Sequence, residues 1–383
     1  MNVVDLFSGV GGLSLGATRA GFNLAGAVEL DKHAIFSHQL NFPQSIHLHN
    51  DVSLLTAKDI LSACAIDEVD CVIGGPPCQG FSSIGKGNAD DSRNELYVHF
   101  FRLVSELEPI CFLAENVPGI MNEKYNSVRD KAFSLVNDRY FLLHPIKVNA
   151  SNYGAPTTRT RVFFIGFRKD LVHKLKESDF FPKNGIEPTL VKEAFYGLPS
   201  VIREEWQEEE QGWRSVKMDR QGYFYDRLWG HVPDKVGDSE SLLNLKKGLV
   251  SGFLGTVHNE EIIQRYRGLS FGETDKISRS KRLDPNGFCP TLRAGTGSDK
   301  GSYQAVRPIH PTQARVITPR EAARLQGFPD WFRFHPTKWH SFRQIGNSVS
   351  PLVAEAMLLP IYNYCLNVRQ ELLNTMVQPC SIQ

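Results

Sequence analysis

Over residues 1–170 short apolar runs alternate with helical patterns, and this alternation constrains the fold more than any other feature of the chain. Short strands separated by helix-length crossovers build parallel β-α-β units, so the pattern predicts an α/β fold with an open, Rossmann-like sheet. Val3–Phe7 reads as a buried strand, followed by Ser8-Gly9-Val10-Gly11-Gly12 and a helix from Leu13 to Ala20. Further strands are predicted at Leu24–Val28, Ile46–Leu48, Val69–Ile73, Ile110–Ala114 and Arg161–Gly166, with a helix over Leu96–Leu107 that Pro109 ends. Beyond about residue 195 the alternation stops. Scattered aromatics and an acidic stretch (Glu204, Glu205, Glu208, Glu209, Glu210) predict a second, smaller and irregular domain. A helical pattern returns at Thr318, where Thr318, Pro319 and Glu321 supply an N-cap, a first-turn proline and a capping-box acid. A last helix is expected from Ser350-Pro351, so the chain divides into 1–195, completed by 340–383, and 196–339.

Composition narrows the class. The 383 residues, 41% of them hydrophobic, bury a core without metal or disulfide staples. Seven cysteines, an odd number with no Cys-x-x-Cys pair, argue against a disulfide framework and a zinc ribbon, so no metal is expected and a reducing cytoplasm fits. No run of about 18 apolar residues is present and no basic segment precedes Val3, which predicts neither a membrane span nor a secretory signal. The 43 basic and 42 acidic residues leave a net charge of +1, which taken alone argues against a strongly basic nucleic-acid binder.

In an open parallel sheet, ligands sit beyond the carboxyl ends of the strands. Those ends carry Phe7–Gly12, Glu29, Asp51, Pro76–Cys78 and Glu115: a glycine-rich turn, three acids and one thiol on one edge. Gly9, Gly11 and Gly12 let the backbone approach a ligand and open a helix N-terminus, although a tight strand–helix connection would need them too. Glu29, 20 residues after Gly9, stands where an acid takes ribose hydroxyls. The glycine spacing misses the dinucleotide fingerprint, which excludes a nicotinamide dehydrogenase, and no Lys-Ser/Thr follows to make a P-loop. An acid for ribose and a second, Asp51, for an adenine amino group suggest a nucleoside cofactor without pyrophosphate, for which S-adenosylmethionine is the candidate.

Cys78 stands at a strand end behind Pro76-Pro77, whereas Cys71 and Cys111 lie inside strands as inert core thiols do. A thiol is a few per cent thiolate at neutral pH unless positive charge is near, and Arg159 and Arg161 are the candidates for that charge. At i and i+2 on an extended segment they are expected on one face; the plain alternative is a surface salt-bridge pair. Glu115-Asn116-Val117-Pro118 closes another strand on the same edge. A thiol, a proton-donating carboxyl and two arginines suit covalent addition to an unreactive aromatic ring.

Taken together, these segments resemble the DNA (cytosine-5) methyltransferases, of the bacterial or phage modification type. Asp5-Leu6-Phe7-Ser8-Gly9-Val10-Gly11-Gly12 is similar to the first cofactor motif, Gly75-Pro76-Pro77-Cys78-Gln79-Gly80-Phe81-Ser82 to the nucleophile motif and Glu115-Asn116-Val117 to the acid motif. Arg159-Thr160-Arg161 resembles the Gln-x-Arg-x-Arg element, with Thr157 where the family usually has Gln. Arg320–Pro329 and Gln344-Ile345-Gly346-Asn347-Ser348-Val349 resemble the last two motifs, and the order of all six is kept.

The resemblance implies an S-adenosyl-L-methionine-dependent methyltransferase sheet with a smaller target-recognition domain. In that reading Cys78 attacks C6 of a flipped-out cytosine, Glu115 serves N3, Arg159 contacts O2 and Arg161 orients Glu115. Phe7 stacks on adenine, Glu29 holds ribose and Asp51 takes the adenine amino group. Ser8, Gly9, Gly11, Gly12, Leu30, Val52, Pro76 and Leu96 complete the cofactor site, which Asn347, Ser348 and Val349 return to close. Residues 82–95 suit a loop closing over the base. Double-stranded DNA is the implied partner, read by 196–320, where Lys276, Arg279, Lys281, Arg282, Arg293 and Lys300 face Asp284 and Asp299, with Gly295, Gly297 and Gly301 among them. The net charge is then a sum over an acid-bearing cofactor edge, the Glu204–Glu210 cluster and this basic segment, and the inference from charge belongs to local patches. The expected protein is a nucleoid-associated monomer, and a companion restriction endonuclease or defence partner is not written in the chain. An RNA cytosine methyltransferase on the same scaffold stays open as the alternative. A catalytically silent DNA-binding regulator is disfavoured by the joint presence of Cys78, Glu115, Arg159 and Arg161.

Overall fold

The structure, a computed structural model, describes residues 1–77, 95–171, 174–207, 209–294 and 307–377. One sheet organises it, built from β1 (Asn2–Leu6), β2 (Asn23–Val28), β3 (Ile46–Leu48), β4 (Cys71–Gly74), β5 (Cys111–Asn116), β6 (Tyr140–Leu142), β7 (Ile146–Asn149) and β8 (Thr160–Arg168). The order is β3-β2-β1-β4-β5-β8-β6, with β7 also paired to β8. Strands β1 to β5 run parallel, as the alternation requires. The late strand predicted at 161–166 is present but longer, and it runs antiparallel to β5, with β6 and β7 sharing its far edge. The order reverses between β1 and β4, which opens a crevice at their carboxyl ends.

Both faces of the sheet are buried, so the strands alternate between two cores rather than between core and water. Val3, Ile73, Leu113 and Ile165 face one side, where α1 (Gly12–Ala20), α2 (Lys32–Asn41) and the C-terminal helix lie. Val4, Val72, Phe112 and Phe164 face the other, covered by α3 (Ala57–Cys64), α4 (Glu95–Leu107) and α5 (Asn126–Ser134). The α4 helix contributes Tyr97, Phe100, Phe101, Val104 and Leu107 from one stripe, the spacing of a helix buried on one side.

From residue 191 onward the elements are short: α6 (Val191–Ala194), β9 (Arg214–Ser215), α7 (Tyr223–Trp229), α8 (Ser239–Lys246), β10 (Leu249–Val250) and α9 (Glu260–Arg267). Their apolar residues Phe224, Leu228, Phe253, Leu283 and Leu292 belong to the same buried cluster as the α1 side of the sheet. Tyr266, Ile309 and Val316 form a separate small cluster. The predicted cap at Thr318 opens α10 (Pro319–Gln326) with a full capping box. Its arginines organise the surrounding chain. Arg324 makes a two-pronged ion pair with Asp330 at 2.8 and 2.6 Å, Arg315 pairs with Glu321, and Arg320 donates to the carbonyls of Ser251, Pro329 and Phe332.

The chain ends with α11 (Lys338–Asn347) and α12 (Pro351–Val377). Contrary to the sequence expectation, the segment Lys338–Asn374 is long and apolar enough to cross a membrane; 61% of its most apolar stretch is buried inside the protein, as in a core helix. It packs along α1, where Gly16 touches Ala354. A Cβ on Gly16 would lie 2.5 Å from the Ala354 carbonyl carbon. Helix propensity alone would make Gly16→Ala stabilising by about 1 kcal/mol. Overpacking costs about 1–3 kcal/mol and is expected to win. Gly16→Ala therefore lowers the urea midpoint of unfolding, and a midpoint at or above wild type would show that α1 and α12 do not need this approach.

Candidate active site

A cavity of about 560 Å³ opens at the carboxyl edge of the sheet. Its wall contains Phe7, Ser8, Gly9, Gly12, Glu29, Leu30, Asp51, Val52, Pro76, Leu96, Asn347, Ser348 and Val349, which are thirteen of the fourteen residues expected around a cofactor. Gly11 is the exception. It caps α1 at a φ of 103°, and a Cβ there would strike the Phe42 ring, so Gly11 shapes the turn without lining the cavity.

The turn after β1 is strained and open. Phe7 adopts a φ of 63°, a left-handed conformation that a bulky residue holds only when its surroundings impose it. At Gly9 (φ 56°) a Cβ would meet nothing within 4 Å, so the backbone there lies bare toward the cavity. The Ser8 hydroxyl is buried and finds no hydrogen-bond partner among the described residues, a polar atom left for a ligand. Glu29 accepts from the N–H of Gly9 and of Asp31, both at 2.8 Å, and burial nevertheless raises its pKa. Asp51 accepts from the Ser53 N–H at 2.9 Å through one oxygen.

Behind this turn runs a buried polar chain. Ser14 donates to Asp5 at 2.5 Å and meets His38 Nε2 at 3.0 Å, and His38 Nδ1 meets His47 Nε2 at 2.8 Å. Burial lifts Asp5 from 3.8 to about 7 and pushes His38 well down.

On the chemistry side, Glu115 and Asn116 end β5. Glu115 pairs with Phe163 across the strands, which puts Arg161, two residues earlier on β8, at a diagonal on the same face. Arg161 Nε lies 2.7 Å from Glu115 Oε1. Burial raises the Glu115 pKa while Arg161 and Arg159 pull against it. Burial and the two cations thus act on this carboxyl in opposite directions, and burial is the larger effect. Asn116 donates to the Pro76 carbonyl at 3.3 Å and so ties the acid to the segment that leads to Cys78. Cys78 itself and the loop at 82–94 lie outside the described residues.

The two arginines do not share a face, contrary to expectation. Arg159 precedes β8, so strand alternation does not govern it. Arg161 is on the cavity wall with Glu115, whereas Arg159 is 1% exposed and donates to the carbonyls of Leu292 (3.2 Å) and Asn347 (3.3 Å). Burial also rules out the plain reading of a surface pair. Of the basic recognition residues, Lys276, Arg279, Lys281 and Arg293 are exposed. Arg282 instead donates to the carbonyls of Leu269 and Pro311, and Gly295, Gly297, Asp299, Lys300 and Gly301 lie outside the described residues.

Several wall residues escaped the sequence reading: Asp31, His33, Asn50, His340, Arg343 and Gln344. Asp31 caps α2 and lies 3.3 Å from Arg343. An N-cap two residues after Glu29 was a legible signal; the partner on α11 was not. His33, His335 and His340 bring their ring nitrogens within 4.8 Å of one another. The Thr337 N–H donates to His335 Nδ1 at 3.0 Å, which leaves the proton on Nε2, 3.1 Å from His33 Nδ1. The pair is thus a hydrogen-bonded clasp between α2 and the approach to α11, and a metal at Nε2 would have to displace that proton.

A doubly wound sheet with a glycine turn and two buried acids around a cavity at its carboxyl edge places the protein among α/β enzymes whose ligands sit in the crevice of the sheet. The C-5 cytosine-specific DNA methylase family model matches residues 1–363, and the chain belongs to that family of enzymes. It is 41% identical over 363 residues to the type II methyltransferase M.XorII of Xanthomonas oryzae pv. oryzae, covering 92% of this chain and 82% of the relative. The type II methyltransferase M.DdeI of Desulfomicrobium norvegicum is 31% identical over 408 residues, covering 96% and 90%. Among solved structures, a protein described as a DNA modification methyltransferase encoded within an E. coli prophage is 60% identical, with a TM-score of 0.88 over 96% of this chain and 99% of that one. The S. pombe Dnmt2 methyltransferase, at 18% identity and a TM-score of 0.57 over 96% and 99%, shares the fold.

The Asp5 site yields a stability test. Its raised pKa means that the folded protein holds a proton that the unfolded chain loses above about pH 4. The contribution is full below that pH and is lost as pH rises through about 7. Relative to Asp5→Asn, wild type should lose up to about 4 kcal/mol between pH 4 and 8 at about 1.4 kcal/mol per unit. Denaturant unfolding of both proteins across that range checks it; a constant difference would show that Asp5 does not titrate there.

Proposed function

We propose that this enzyme transfers a methyl group from S-adenosyl-L-methionine to C5 of a flipped-out cytosine in duplex DNA, through a covalent adduct with Cys78. The observation that carries the reading is the Glu115–Arg161 pair on the same wall as the thirteen cofactor residues, tied through Asn116 to the strand end before Cys78. The wall fits the cofactor: the bare Gly9 backbone and the unpartnered Ser8 hydroxyl suit its polar tail, Glu29 its ribose and Asp51 its adenine amino group, with Phe7 as the stacking face. When bound, the cofactor supplies an electrophilic methyl group.

The residues act on the base in sequence. The Cys78 thiolate forms a bond to C6, and the ring's electron pair moves toward C5 as Glu115 delivers its proton to N3. C5 then takes the methyl group. The C5 proton then passes to solvent water, its electron pair re-forms the C5–C6 double bond as Cys78 departs as a thiolate, and the N3 proton returns to Glu115. Arg161, 2.7 Å from Glu115, orients the carboxyl and lies on the wall where the O2 of the base would sit, so both arginine roles fall to it. Extruding the base from the duplex costs a few kcal/mol.

Residues 1–195 with 340–383 carry catalysis, and 196–339 read the target, with Lys276, Arg279, Lys281 and Arg293 presented to phosphates and groove edges. The type II names of the relatives support a modification role. A companion restriction endonuclease, a monomeric enzyme and DNA in the bacterial cytoplasm complete the proposed role. Cys78→Ser should abolish methyl incorporation into duplex DNA while cofactor binding stays intact. Glu115→Gln should lower turnover about 10²–10⁴-fold, the range for a lost general acid. Bisulfite sequencing of plasmid DNA from cells expressing each protein reads both. Methylation retained by Cys78→Ser, or incorporation into tRNA in place of duplex DNA, would overturn the proposal.

A further inference from the structure

Among the contacts that join the recognition region to the catalytic half, one short stretch, residues 289–294, lies against both the arginine segment and the cofactor wall. There the Cys289 N–H donates to the Pro156 carbonyl at 2.9 Å and the Thr158 N–H to the Cys289 carbonyl at 3.0 Å, a parallel bridge between Thr157 and Cys289. Arg159 follows at once. Its buried guanidinium spans two chains, one arm on the Leu292 carbonyl (3.2 Å) and the other on the Asn347 carbonyl (3.3 Å). Asn347 ends α11, so its carbonyl is one of the unsatisfied groups at the negative end of a helix, where a cation is favoured. Asn347 is also part of the cofactor wall, together with Gly346, Ser348 and Val349.

A second contact joins the same two segments. Gly346 packs directly on the recognition backbone, so that a Cβ there would lie 2.6 Å from both the Arg293 carbonyl carbon and the Ala294 nitrogen. On its far side the wall presses on the first cofactor turn. A Cβ on Gly12 would collide with Ser348 Oγ and the Val349 carbonyl oxygen. The Gln326 amide, on α10, donates to the Ser348 carbonyl at 2.7 Å. From recognition backbone to cofactor wall to glycine turn, every step is a contact without slack.

We infer that Arg159 is a positioning residue that couples target engagement to cofactor binding, by clamping the recognition segment at Leu292 and the cofactor wall at Asn347 with one guanidinium. The inference rests on the cofactor and DNA assignments above. Its physical content is linkage. If DNA held by the recognition region, to which the exposed Arg293 belongs, favours the clamped arrangement, and the cofactor favours the same one, each ligand strengthens binding of the other by an equal factor. Arg159 suits the task because its planar fork presents two parallel donors to two carbonyls; a lysine ammonium keeps the charge without the fork.

The test measures the affinity for S-adenosylhomocysteine, which binds without turnover, with and without unmethylated plasmid DNA. Wild type should bind it at least about fivefold more tightly when DNA is present, the low end of ordinary coupling. Arg159→Lys and Gly346→Ala, which loosen the contact from opposite sides, should bring that ratio below about twofold. General destabilisation lowers both affinities alike and cancels in the ratio, and Gly346→Ala carries the test if Arg159→Lys does not fold. A wild-type ratio of one, or a ratio kept in the variants, overturns the inference and leaves the cofactor assignment standing. Wild type that binds no S-adenosylhomocysteine overturns both.

Discussion

The end of the chain reaches its first helix because Gly12 and Gly16 have no side chains. Gly12 lets Ser348 and Val349 lie against the turn after β1, and Gly16 lets α12 settle onto α1. Without that approach the crevice at the β1/β4 switch would be an open groove; with it, residues near both ends of the chain enclose one cavity. Gln344 strengthens the closure by donating to the His33 carbonyl at 2.8 Å and to Ser37 Oγ at 2.9 Å. Cavity wall and tertiary closure are therefore a single event, and the wall exists only once α11 and α12 have docked.

Electrostatics separates the acids that serve the site from those that hold the frame. Glu29 and Glu115 lie on the crevice wall and Asp5 is buried behind its first turn, and burial pushes all three upward. Among the recognition elements the balance reverses. Burial alone would raise Asp275 and Glu321, but Arg265 and the serine at 278 bring Asp275 down to about 2, and Arg315 pulls Glu321 below its ordinary range. A carboxyl fixed in a two-pronged arginine pair is a structural brace. At Glu115 the compensation is incomplete, and burial leaves the carboxyl above its ordinary range although Arg161 and Arg159 pull against it.

How much of this was legible in the sequence follows from the range of the forces involved. Strands β1 to β5 and the acids at their ends were readable because hydrophobic runs and strand termini are local, and the rule that ligands sit beyond carboxyl ends converts position into function. The capping box of α10 and the start of α12 at Pro351 were readable for the same reason, although the Ser350 hydroxyl makes no cap bond among the described residues. The reversal of β8 was not, since parallel and antiparallel partners of a doubly buried strand carry the same apolar run. Nor was the parting of Arg159 from Arg161. The i, i+2 rule holds within a strand, and β8 begins at Thr160, between them. His340 and Arg343 were missed because they reach the cavity through the docking of α11 on α2, a contact between residues some three hundred positions apart.

Net charge misleads for a related reason. Arg159, Arg320 and Arg324 are fully buried and spend their donors on carbonyls or on Asp330, so they count in the sum and contribute little to the field outside. The field outside is set by the exposed charges that remain. The departure at Thr157, where the family usually has Gln, can be weighed in the same way. Thr157 is fully buried and its hydroxyl has no hydrogen-bond partner among the described residues, so the side chain supplies no link to the recognition segment. The link is made by the backbone on either side, Pro156 and Thr158 to Cys289, and then by Arg159. Main-chain pairing is indifferent to which side chain sits between its two bonds. A chain can therefore lose the glutamine and keep the join, provided that the strand geometry and the arginine after it are retained.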